Sequence, residues 1–199
     1  GSGNLIENIN KFYVQDEQIE FLKLSKVVSP ETLDWLTQYR FRGDILSYLE
    51  GELYFPNSPV MTIEAELGEA LILETLILST LNHASSVATA AARISEAADG
   101  KLVMEAGSRR VHPDAASDAA RAAYIGGIDV TSNLEAGHRW GIPTTGTASH
   151  AFTLAFPNEL EAFSTQREFL GTDSVFLIDT FDITEGITNA VKATNGQLK

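Results

Sequence analysis

The stretch Leu102-Val103-Met104-Glu105-Ala106-Gly107-Ser108-Arg109-Arg110 decides the fold. Residues of strand character run into a glycine, a hydroxyl and two guanidiniums, and the same order returns three times downstream. Gly127-Ile128-Asp129-Val130-Thr131 leads into Ser132-Asn133, and a strand predicted over 143–147 leads into Gly146-Thr147-Ala148-Ser149-His150. Ser174-Val175-Phe176-Leu177-Ile178 leads into Asp179-Thr180-Phe181-Asp182. Between and after these stretches, helical patterns cover 114–124, 134–140, 159–170 and 183–193. Strand and helix in regular alternation predict an α/β fold built on a parallel sheet or barrel. No GxGxxG turn is present, and the units are short for doubly wound crossovers, so a barrel or part of one is the better reading.

Upstream the pattern differs. From residue 4 to about 49, Leu5, Ile6, Ile9 and Phe12, then Ile19 and Leu22, recur at helical spacing. Ser29-Pro30-Glu31 supplies a capping hydroxyl and a proline at the first helical position. Phe41-Arg42-Gly43-Asp44 breaks that pattern, and strands at 52–55 and 60–63 flanking Pro56-Asn57-Ser58-Pro59 predict a hairpin. A long helix, apolar nearly all round at its start and alanine-rich at its end, is predicted over 68–98. The expected division is 1–99, an α/β domain portion with linking helices, and 100–199, the first half of a barrel.

Composition narrows the function. With 27 acidic against 14 basic residues the formal charge is -13, which argues against a general electrostatic grip on nucleic acid or an anionic membrane. Phosphate binding would have to be local. The absence of cysteine excludes disulfides, thiolate metal sites and cysteine nucleophiles, and fits a cytoplasmic protein. No uninterrupted apolar run approaches the roughly 20 residues that span a bilayer, and no leader pattern opens the chain. Both ends read as cut: Gly1-Ser2-Gly3 runs straight into a helical pattern, and the chain stops at Gln197-Leu198-Lys199, where another strand is expected.

In a parallel barrel the strand ends share one face, and reactive groups gather there. Arg109 and Arg110 offer planar forks for phosphate or carboxylate, though a solvated surface pair has the same sequence. Ser132, Asn133, His138 and Arg139 could extend that anion site or simply cap and solvate a helix. Gly146 and Thr147 open a loop whose amides could face an anion, and His150 ends it. Asp179 and Asp182 could hold ribose hydroxyls or magnesium, Asp182 being equally well placed to cap the helix at 183. His83 and His112 read as structural, and no histidine spacing suggests zinc.

Taken in order, several pieces resemble the nicotinate phosphoribosyltransferase family: Glu105-Ala106-Gly107-Ser108-Arg109-Arg110, Ala122-Ala123-Tyr124-Ile125-Gly126-Gly127 with Thr131-Ser132-Asn133, Gly146-Thr147-Ala148-Ser149-His150, and Asp179-Thr180-Phe181-Asp182. Phe41-Arg42-Gly43-Asp44 and Gly51-Glu52-Leu53-Tyr54-Phe55-Pro56 through Glu74-Thr75 are similar too. The resemblance covers nearly the whole chain and the middle of the family's sequence. It implies a small α/β domain followed by an irregular seven-stranded α/β barrel. It implies displacement of pyrophosphate from phosphoribosyl pyrophosphate by nicotinate, giving nicotinate mononucleotide for NAD synthesis with ATP hydrolysis coupled to it. ATP and Mg2+ are the implied cofactors and a homodimer the implied assembly. Residue by residue, Arg109 and Arg110 would handle substrate anions, His150 would be the phosphorylated histidine and Asp179 would serve ribose or metal. Phe181 stands where a tyrosine is usual, and the aromatic segment that stacks on nicotinate, like the later barrel strands, is absent. The chain alone is therefore expected to be inactive. The competing readings are a quinolinate or nicotinamide phosphoribosyltransferase and a non-catalytic interaction module using the apolar helix 68–81.

Overall fold

The computed structural model describes residues 1–198, mixed α/β and mostly helical. It contains two compact units, one ending at Pro143 and one from Thr144 onward. Compactness thus divides the chain within the stretch 100–199 that the strand–helix alternation groups together.

The first unit opens with three short helices, α1 (Ser2–Lys11), α2 (Asp16–Ser25) and α3 (Pro30–Thr37). Each start has a local cause. The Gln15 amide donates to Gln18 Oε1 at 2.9 Å to begin α2, and Ser29 Oγ accepts from the Thr32 amide at 3.2 Å with Pro30 at the first helical position of α3. The hairpin differs from expectation. Its strands are β1 (Asp44–Ser47) and β2 (Met61–Glu64), antiparallel with Ile45 opposite Ile63. Residues 52–55 form no strand: Leu53 and Phe55 are 87% and 75% exposed, so this apolar run has no face to bury. Gly43, read as a break, admits the chain past the Glu64 carbonyl and Ala65, where a side chain would collide.

The helix α4 (Leu67–Ala97) runs 31 residues, as the apolar and alanine-rich pattern predicts. Leu73 and Ile77 join Leu5 and Ile9 of α1 in one core, flanked by Phe12, Ile45 and Ile63. Ala91 joins Ala123 and Ile128 in a second, flanked by Val87 and Val103. By length and composition alone α4 is long and apolar enough to cross a membrane, although polar residues punctuate it and leave no uninterrupted apolar run.

Two short parallel strands follow, β3 (Met104–Glu105) and β4 (Val130–Thr131), with Glu105 opposite Thr131. The helix between them, α5 (Pro113–Ile125), buries Ala116, Ala119, Ala120, Ala122 and Ala123, and this smooth face allows close packing on α4. At its end Gly126 lies against the Ala88 carbonyl and Ala91 Cβ, leaving no room for a side chain. Arg121 of α5 grips Glu50 with two hydrogen bonds of 2.8 and 2.5 Å. That bidentate pair holds the Glu50 carboxyl down at about 2. The unit closes with α6 (Leu134–Trp140), whose Ala136 packs with Ala120 and Ile142.

The second unit consists of α7 (His150–Leu154), α8 (Glu159–Leu170) and α9 (Ile183–Ala193). The helix α7 lies outside the predicted pattern; Ser149 starts it by accepting from the Phe152 amide at 3.3 Å. The strands predicted over 143–147 and 174–179 are not formed, apart from an isolated bridge at Thr144. Residues 174–179 are held instead by side chains: Gln166 Nε2 donates to the Val175 carbonyl at 2.9 Å, and Phe176 packs on Phe163 with ring centroids 4.9 Å apart. Their apolar character is satisfied by packing on α8, and among the described residues no ladder partner turns them into a strand.

Candidate functional site

In the first unit the ends of β3 and β4 are laced together by side chains. The Glu105 carboxylate accepts from the Gly107 amide through Oε1 and from the Thr131 hydroxyl through Oε2, the latter at 2.6 Å. Thr131, only 1% exposed, passes the connection on by accepting from the Asn133 amide at 3.0 Å. Asn133 Nδ2 donates to Ser108 Oγ at 3.0 Å, and its Oδ1 caps α6 by accepting from the Ala136 amide at 2.8 Å. The Ser132 amide donates to the Glu105 carbonyl at 2.8 Å.

This network fixes the 3-10 turn Gly107–Arg109 and, with it, the two arginines. Arg109 and Arg110 are both exposed and neither side chain has a hydrogen bond or ion pair among the described residues. Two consecutive, unneutralised arginines on a chain of charge -13 can bind a phosphate or carboxylate, and the turn that carries them is braced by the network. Of the two residues expected to touch substrate, Asn133 has its side chain engaged with Ser108 and the α6 cap, and Ser132 joins the network through its backbone amide. Glu105 and Thr131 are the residues that sequence reasoning passed over. A carboxylate and a hydroxyl facing each other at the ends of neighbouring parallel strands were the available signal.

His138 and Arg139 do not join the arginine pair. His138 Nδ1 lies 3.8 Å from Glu135, and Arg139 stacks on the Trp140 ring at 4.4 Å while donating to Ser117 Oγ at 3.3 Å. His112 caps α5 by accepting from the Asp114 amide at 3.3 Å, in keeping with its structural reading.

In the second unit His150 is the first residue of α7 and is half-exposed. Its Nδ1 lies 3.2 Å from Thr180 Oγ1 and its Nε2 3.8 Å from Asp179 Oδ1. The loop motif and the aspartate motif, 29 residues apart from His150 to Asp179, therefore meet at one imidazole. Gly146 and Thr147 lie in the exposed loop leading to it. Asp182 takes the capping role: its Oδ1 accepts from the Glu185 amide at 2.9 Å and starts α9. A neutral imidazole with a carboxylate at one nitrogen can act as a nucleophile through the other. Among the described residues no group of three histidine, aspartate or glutamate side chains is gathered closely enough to hold a metal ion.

The chain is similar to known proteins throughout. Residues 1–82 match the family model of the nicotinate phosphoribosyltransferase N-terminal domain. The nicotinate phosphoribosyltransferase pncB1 of Mycobacterium tuberculosis is 46% identical over all of this chain and 46% of its own length. The nicotinate phosphoribosyltransferase of Bacillus subtilis is 39% identical over 96% of this chain and 39% of its own. The chain thus spans less than half the length of these relatives. The crystal structure of human nicotinic acid phosphoribosyltransferase superposes with a TM-score of 0.83 at 23% identity, over 96% of this chain and 49% of that one. A nicotinate-nucleotide pyrophosphorylase from Pyrococcus furiosus gives 0.76 at 26%, over 96% and 57%. With 46% identity to one such enzyme over all of its residues, the chain belongs to the nicotinate phosphoribosyltransferase family.

Proposed function

We propose that the chain forms part of an enzyme that transfers a phosphoribosyl group from phosphoribosyl pyrophosphate to the ring nitrogen of nicotinate, releasing pyrophosphate and nicotinate mononucleotide for NAD synthesis. Arg109 and Arg110, free and braced, carry this reading: they suit the phosphates of one substrate or the carboxylate of the other. In this reading β3 and β4 are the first two strands of a seven-stranded barrel. The whole enzyme is a cytoplasmic homodimer.

ATP hydrolysis is coupled to the transfer through His150. A lone pair of the neutral imidazole attacks the γ-phosphorus, the bond to the β–γ bridging oxygen breaks, and ADP leaves with the electron pair. Asp179 offsets the positive charge that develops on the ring. The new phosphoryl group is later lost to water. Mg2+ would supply charge neutralisation on the phosphates when bound.

The carrying observation is tested by replacing each arginine in a protein of the family's full length that carries these 199 residues. Arg109→Ala and Arg110→Ala should each weaken phosphoribosyl pyrophosphate or nicotinate binding by about 1.5–3 kcal/mol, the scale of a charge-assisted hydrogen bond. Titration calorimetry with both ligands reads this directly. Unchanged affinities for both ligands in both variants would return the pair to solvated surface arginines.

A further inference from the structure

His150 is half-exposed, so burial does not dictate which of its nitrogens carries the proton. The two groups facing it do. A carboxylate can only accept, so the nitrogen turned towards Asp179, Nε2 at 3.8 Å, is the one favoured to carry hydrogen. A hydroxyl can donate or accept, and Thr180 Oγ1, at 3.2 Å from Nδ1, is free to supply the complementary donor. The two partners are consecutive residues, so a single peptide unit sets the spacing between them. That unit is anchored on both sides. Asp182 caps α9 two residues on, and Gly186 of α9 packs so closely on the Ile178 carbonyl that a side chain there would collide.

We propose that Thr180 is a positioning residue for His150: its hydroxyl donates to Nδ1 and holds the ring as the Nε2–H tautomer, keeping the Nδ1 lone pair in place as the ring's nucleophilic electron pair. The proposal rests on the reading of His150 as the phosphoryl acceptor. Thr180 itself touches no substrate atom in this scheme and acts through the imidazole. Its hydroxyl swings aside when Nδ1 reacts and is then placed to donate to a phosphoryl oxygen, so one side chain serves the ring before and after the step.

The chain labelled with 15N-histidine provides the test. It has four histidines, and the His150 resonances are those lost in His150→Asn. Long-range 1H–15N correlation at alkaline pH, where imidazoles are neutral, reports the tautomer directly. The expected result is a pyridine-type Nδ1 and a pyrrole-type Nε2 in the wild type, averaging towards a tautomer mixture in Thr180→Val and restored in Thr180→Ser. A pyrrole-type Nδ1 in the wild type, or a Thr180→Val spectrum identical to wild type, overturns the proposal. Should Thr180→Val not fold, Thr180→Ala takes its place: it too lacks the hydroxyl, so the same loss of a single tautomer is expected, and an unchanged spectrum again overturns the proposal. Phosphoryl uptake is measured separately, with ATP and Mg2+, on a protein of the family's full length, as acid-labile phosphate on His150. Thr180→Val should slow it about five- to tenfold, the scale of one neutral hydrogen bond. No uptake even in the wild type would remove the acceptor role while the tautomer spectra still decide the fate of the clamp.

Discussion

At the scale of single residues, the candidate site separates side chains that are free from side chains that are committed. Arg109 and Arg110 have no partner among the described residues, whereas Asn133 and Asp182 are consumed by helix caps. The distinction matters for interpreting substitutions. Loss of function in Asn133→Ala would report a slackened turn, while loss in Arg109→Ala would report a missing contact. His150 stands between the two classes, held by Asp179 and Thr180 yet half open to solvent. His150→Asn keeps one hydrogen-bonding nitrogen and removes the nucleophile. ATP hydrolysis and the stimulation of transfer by ATP should both disappear in a protein of the family's full length carrying this change. ATP stimulation persisting at the wild-type level would take His150 out of the coupling.

At the scale of elements, helices and strands were unequally legible. The bounds predicted from sequence, 134–140, 159–170 and 183–193, are those of the structure, where Asn133, Asn158 and Asp182 each cap the following helix from one position before it. A cap is local chemistry and shows in a window of a few residues. A strand is defined by its neighbour. The run Leu53-Tyr54-Phe55 has strand composition but no partner, while the strand Asp44–Ser47, which pairs with Met61–Glu64, looks like a break. The same limit hid the Glu105–Thr131 contact, which exists only because two strands 26 residues apart lie in register. Packing of element on element is similarly exacting at Gly126, where a methyl would meet Ala91 Cβ at 2.8 Å and press into the Ala88 carbonyl. Gly126→Ala should therefore destabilise the first unit by about 1–3 kcal/mol, the scale of overpacking. Urea unfolding followed by circular dichroism measures it, and an unchanged midpoint would mean that α4 and α5 are not packed as closely as described.

At the scale of the whole molecule, charge is the dominant feature, and one ion pair converts it into pH dependence. The Arg121 guanidinium holds Glu50 at about 2, against an ordinary value of 4.5. A folded-state value below the unfolded one means that the deprotonated form is favoured by folding. The stabilisation is complete above about pH 4.5 and disappears as pH falls towards 2. Unfolding midpoints taken between pH 6 and 2 should therefore fall less steeply in Glu50→Gln, which has already lost this contribution. Parallel profiles for the two proteins would show that the pair contributes nothing to folding. The pair also ties the segment after β1 to α5, so acid should loosen that segment before it loosens the helices themselves.

The 31-residue helix α4 carries its two cores far apart. Leu73 and Ile77 belong to one and Ala91 to the other, so the centres are separated by about 25 Å at 1.5 Å per residue. Asn82 to Ser86 lie between them and belong to neither. Between the two cores Asn82, His83 and Ser86 are exposed and only Ala84 and Ser85 are half-buried. Amide exchange with deuterium should accordingly show two slow islands, around Leu73–Ile77 and around Ala91, separated by a fast stretch over 82–86, because local opening there breaks backbone bonds without exposing a core. Exchange that is uniformly slow along the helix would mean that the two cores open as one cooperative unit.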